Sequence, residues 1–169
     1  MKKICVLLLI VCTVLWICGC SAPAPQPTES GFALPAESGF VLTVADCTIT
    51  MGAEAAPILA ALGKPVTVTE EASCAFDGTE KTYRYEHFCL TTCPVDGAEI
   101  ICRVWFTDDS LSTAEGIRVG SSRDAVAQTY GGDVFKDDGL CVLNRGESSL
   151  TILLANGAVT SVQYALIIK

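Results

Sequence analysis

The chain has 169 residues, 10 of them cysteine, and a formal charge of −8 from 11 basic and 19 acidic side chains. That length suits one domain, or two small repeats sharing a core. No basic cluster occurs anywhere, so neither nucleic acid nor an anionic membrane surface finds an electrostatic footprint.

Half of the residues are apolar, but they are unevenly placed. Ile4 to Ile17 are apolar except for Thr13, with only Met1, Lys2 and Lys3 ahead of them. A charged start, an apolar run and small residues after it make the pattern of an export signal. The run is too short to span a bilayer, which takes about 20 apolar residues. Its end, Ile17-Cys18-Gly19-Cys20, resembles the lipobox of bacterial lipoproteins, in which a small residue precedes a cysteine that is lipidated and becomes the first mature residue. The resemblance implies a signal over residues 1–19 and a lipid on Cys20. It also implies a protein held on the extracytoplasmic face of the cell membrane. Cys18 departs from the usual Ala, Ser, Thr or Val while staying small. A CxC metal or redox pair is the competing reading, and nothing nearby supplies further ligands. Two acyl chains anchor stably where one binds only marginally, since each buried methylene contributes about 0.8 kcal/mol.

Residues 20–39 hold four of the seven prolines (Pro23, Pro25, Pro27, Pro35) among Ser, Gly and Glu. Such a composition buries too little surface to order itself and is expected to be a tether. It contains a short duplication, ESGFALPAESGFVL.

Residues 40–169 show an internal repeat. ITMGAEAAPILAALG (Ile49 to Gly63) aligns without a gap on IRVGSSRDAVAQTYG (Ile117 to Gly131), with glycines and apolar positions matched. In the second copy Ser121 or Ser122 caps a helix, Val126 and Tyr130 form its buried stripe, and Gly131 ends it. In the first, Pro57 suits the opening turn, and Gly63 with Pro65 stops the helix. Alternating strand pattern follows each helix, with hairpin turns expected at Pro94–Gly97 and at Asn156-Gly157.

A helix and a meander, twice over, resembles the β-lactamase-inhibitor-protein-like repeat and the small outer-membrane lipoprotein domain of the barrel-assembly machinery. It is also similar to small secreted lipoproteins of anaerobic Gram-positive bacteria. The expected fold is therefore α+β: two tandem repeats, each a short helix followed by an antiparallel β-meander, with the helices packed on one face of the sheet. Repeat 1 is placed at about 40–110 and repeat 2 at about 111–169. The resemblance implies binding or scaffolding, not catalysis.

Six cysteines lie in this body: Cys47, Cys74, Cys89, Cys93, Cys102 and Cys141. With alternation across the 94–97 turn, Tyr83, Tyr85, His87, Cys89 and Cys93 share an apolar face with Ile100, Cys102, Val104 and Phe106. The simplest reading is small buried apolar residues. A Cys89–Cys102 cross-strand disulfide and a metal site of His87, Cys89, Cys93 and Cys102 are the alternatives. The metal site is disfavoured because ligands along a strand would have to converge over about 20 Å. Asp108-Asp109 and Asp137-Asp138 are expected to be solvated turns, for no calcium-loop pattern is present. Ser121 and Ser122 have no histidine to activate them, and no phosphate-loop or dinucleotide fingerprint occurs, so no cofactor is expected.

The function expected is a lipid-anchored binding or scaffold module for a protein or peptide partner. Phe88, Arg103 and Trp105, placed on the face opposite the cysteines, are the candidate binding residues. The alternative is an envelope enzyme or metal-handling lipoprotein using His87 and the cysteines of the first hairpin. Cys20→Ala is expected to leave an unprocessed or released protein, and Cys18→Ala to change little. Membrane retention after carbonate and detergent-phase washes checks this, and equal retention of Cys20→Ala and the parent contradicts it.

Overall fold

Two-residue turns build the fold outward from two hairpins. Asp96-Gly97 and Asn156-Gly157 both take positive φ at each position, 49° with 80° and 51° with 79°, the backbone whose twist matches a tight hairpin. The first closes β5 (Phe88–Val95) on β6 (Ala98–Phe106), and the second closes β9 (Ser148–Ala155) on β10 (Ala158–Leu166). The computed structural model in which these elements are seen describes residues 39–136 and 139–168. The expected signal, Cys20 and nearly all of the tether lie outside the described residues, as does the Asp137-Asp138 pair.

β4 (Thr79–Arg84) and β3 (Thr67–Ala72) extend the sheet beyond β5, and β8 (Leu140–Arg145) and β7 (Phe135–Lys136) extend it beyond β9. One antiparallel sheet results, in the order β3-β4-β5-β6-β10-β9-β8-β7, while β1 (Val41–Val44) and β2 (Cys47–Thr50) form a separate hairpin. The two hairpins of the large sheet meet where Arg103, Val104 and Trp105 of β6 pair with Ala165, Tyr164 and Gln163 of β10. Beyond that contact the chain entering the first helix takes over: Gly52 N–H donates to Ile101 O (2.7 Å) and Ile101 N–H to Ala53 O (2.9 Å).

The helices are short. α1 (Ala55–Leu62) carries Pro57 in its first turn and ends at Gly63, whose N–H returns to Leu59 O. In α2 (Arg123–Tyr130) the capping residue is Ser122, whose hydroxyl accepts from Ala125 N–H at 3.2 Å. Asp124 in its first turn complements the helix dipole.

The α+β expectation of two tandem helix-and-meander repeats is overturned. The fold is mostly β, with strand over 50% of it and helix over 15%. A hairpin precedes α1, whereas no strand lies between β6 and α2. β3 is six residues long and β7 only two. All six residues of β3 are exposed, so no apolar alternation announces it. Ladder hydrogen bonds to β4 make it a strand, and those are invisible to a reading based on hydrophobic period.

Register supplies the second correction. Cys93 pairs with Ile100, as a two-residue turn requires, but Thr91 pairs with Arg103 and Thr92 with Ile101, leaving Cys102 as an extra residue. This β-bulge reverses the alternation along β6. Above it Phe88 and Leu90 share a face with Phe106 and Val104, while Cys89 lies opposite Trp105. The disulfide joins Cys93 to Cys102, not Cys89 to Cys102, and Cys89 is free and buried.

The inner face of the sheet carries the core. Leu90, Val104, Leu150, Ile152, Val162 and Tyr164 meet Leu42 and Ile49 of the separate hairpin, Ile58 of α1 and Val126 of α2 in one cluster. The chain enters this cluster at Gly39-Phe40. A Cβ on Gly39 would stand 2.5 Å from Ser148 Oγ, so that position excludes any larger residue unless Ser148 moves. The buried Phe40 N–H donates to the same hydroxyl at 2.6 Å, and the Phe40 ring lies under the Arg145 guanidinium, 4.4 Å from its centroid. Ser148→Ala leaves that N–H without its partner and is expected to cost about 1–3 kcal/mol. Urea denaturation checks it, and an unchanged midpoint contradicts it.

Candidate functional site

Because cross-strand partners share a face, the register reads out the outer side of the sheet directly. One row runs Val142, Thr151, Gln163, Trp105, Cys89, Arg84 and Thr67 across β8, β9, β10, β6, β5, β4 and β3. The adjacent row runs Asn144, Ser149, Ala165, Arg103, Thr91, Thr82 and Thr69 across the same strands. Arg84 and Arg103 are exposed, Trp105 is half-buried, and Cys89 and Thr91 between them are buried. Short side chains on β5 thus form a floor between longer ones on β4 and β6. Thr82 and Thr91 bind each other through their hydroxyls at 3.1 Å. Neither row contains a carboxylate.

Of the three residues expected to bind a partner, Arg103 and Trp105 lie together on this outer face. Phe88 does not: it is 4% exposed, packs in the core cluster, and stacks on Tyr85 with ring centroids 4.8 Å apart. The bulge at Cys102 is the cause, since a single extra residue moves every side chain beyond it to the opposite face. Arg84, two strands from Trp105 in the same row, lies on the same outer face.

The set His87, Cys89, Cys93 and Cys102 is not brought together. Cys93 and Cys102 are bonded to each other, Cys89 lies on the outer face, and no group of three or more metal-binding side chains occurs among the described residues. Burial pushes the Cys89, Cys47 and Cys141 thiols above their ordinary value, against thiolate formation.

His87 instead lines a cleft. Two adjoining lobes of about 280 and 300 Å³ share Val44, Tyr85 and Phe88. Asp46, Cys47 and Leu62 help line the first, and Lys64, Val66, His87 and Leu111 the second. His87 Nδ1 lies 2.8 Å from Asp108 Oδ2, and Asp108 also accepts from Ser110 N–H at 2.9 Å. Spacing could not have announced this pair, because a separation of 21 residues carries no periodic signal. The sequence signalled at most the local Asp108-to-Ser110 turn.

The hydrogen bond to Asp108 holds the His87 imidazole above its ordinary 6.5, and the same bond first, with the Ser110 N–H second, draws Asp108 down to about 2. A raised histidine contributes stability that is complete below about pH 6.5 and is lost as pH rises through its folded value. A depressed carboxylate contributes stability present above about pH 3.9 and lost as pH falls toward 2. The contact is therefore strongest from about pH 4 to 6.5.

Against known protein families, curated proteins and solved structures, the chain shows no match. Its chemistry is therefore read from its own geometry. Asp108→Asn is expected to lower the His87 titration midpoint, which NMR of its ring protons measures. An unmoved midpoint contradicts the pairing.

Proposed function

We propose that this chain is a lipid-anchored, extracytoplasmic binding module for a protein or peptide partner. The anchor reading rests on the order of sequence features: two lysines, an apolar run, Ile17-Cys18-Gly19-Cys20 and a proline-rich tether. The Cys93–Cys102 disulfide supports export, because such bonds persist in oxidising compartments and are rare in the cytosol.

The binding reading is carried by one observation, the outer sheet face centred on Trp105 and Arg103. A half-buried indole beside an exposed guanidinium matches the residue types that dominate interface energetics, where truncating one anchor costs about 2 kcal/mol or more. The surrounding Thr, Ser, Gln and Asn side chains can form a polar rim. The enzyme or metal-handling reading has less support, since its histidine and cysteines are dispersed between a cleft, a disulfide and the outer face.

Trp105→Ala is expected to abolish capture of a membrane partner by the full chain while moving the melting temperature by no more than a few degrees. Parallel pull-down and thermal melts check both. Retained capture contradicts the assignment of this face, and so does a collapse in stability.

A further inference from the structure

The outer face also carries a charge signature that the binding reading does not require. The chain has 19 acidic against 11 basic residues, so carboxylates outnumber the cations that could pair with them. Three other cations are engaged: Lys81 pairs with Glu99 at 3.3 Å, Arg145 with Glu115 at 3.4 Å, and Arg123 lies over Phe135 at 4.1 Å, while the side chains of Lys64 and Arg118 make no such contact among the described residues. The guanidiniums of Arg84 and Arg103 have no hydrogen-bond or ion-pair partner among the described residues. They flank Trp105 and the floor of Cys89 and Thr91, within two rows of fourteen side chains that contain no carboxylate.

Two unpaired guanidiniums on an acid-free strip of an acidic protein form a complementary site for carboxylates. We propose that the partner presents an acidic peptide segment, with carboxylates paired to Arg84 and Arg103 and an apolar or aromatic group against Trp105. Arginine suits this role because its planar fork binds a carboxylate through two parallel hydrogen bonds. The net negative charge elsewhere does not prevent the contact, because interactions beyond about 8 Å are screened at physiological ionic strength. Local pairing decides orientation and partner choice. The inference rests on the outer face being the binding face and adds Arg84 and the partner's charge to it.

Trp105 is the only tryptophan after residue 20, so its fluorescence reports directly on the strip once the signal is removed. The test is a titration of the full mature protein in detergent micelles with poly-L-glutamate, poly-L-lysine and polyphosphate. Poly-L-glutamate is expected to change the Trp105 emission saturably, with binding at least tenfold weaker in 300 mM than in 50 mM salt. The double variant Arg84→Gln/Arg103→Gln, checked for an unchanged circular dichroism spectrum and melt, is expected to bind it at least tenfold more weakly than the parent. An unaffected double variant, or equal binding of poly-L-lysine, overturns the proposal. Tighter binding of polyphosphate than of poly-L-glutamate overturns the peptide assignment. If Trp105→Ala loses the membrane partner while the double arginine variant keeps it, the binding face stands and its charge chemistry does not.

Discussion

The extra residue at Cys102 governs how this molecule presents itself. In an antiparallel pair every side chain's face depends on strict alternation, and one inserted residue inverts the assignment for the rest of the strand. Above the bulge, Phe88 and Leu90 join Val104 and Phe106 in the core, while Cys89 and Trp105 turn outward. The disulfide from Cys93 to Cys102 ties the bulged residue across to β5. Without that insertion Arg103 and Trp105 would exchange faces with their neighbours, and the outer strip would not exist.

The pairing of β6 with β10 transmits this constraint across the sheet. Trp105 lies opposite Gln163 and Arg103 opposite Ala165, so the outer rows continue without a break from β5 into β10 and β9. On the reverse side Val104 pairs with Tyr164, whose fully buried ring meets Phe40 at 6.0 Å and Phe106 at 6.2 Å between centroids. A single junction therefore serves two ends. Its inner side chains knit the core, and its outer ones form the middle of the proposed contact strip.

Polar contacts secure the parts that hydrophobic burial does not reach. Tyr130 donates to Glu115 and shares a hydrogen bond with Thr113, while Arg145 bridges Glu115 and the face of Phe40. Thr92, Tyr83 and Lys81 all converge on Glu99 at the far end of the inner face, and its carboxylate is held below the usual range by those hydrogen bonds, which outweigh the opposing effect of burial. These networks consume the charges they contain. Arg84 and Arg103 stand outside these networks.

Patterns of local origin were legible in the sequence. The two helices could be placed by capping serine, early proline and closing glycine, and the two hairpin turns within Pro94–Gly97 and at Asn156-Gly157, because each depends on backbone conformations that a few neighbouring residues dictate. What only the folded structure decided was ladder pairing and register: that β3 is a strand at all, that Cys93 and not Cys89 reaches Cys102, that His87 meets Asp108, and that Phe88 is core. Each of these turns on which backbone groups pair across strands, even between neighbouring segments, and a one-residue bulge leaves no mark in composition or period while reversing the face of every side chain beyond it.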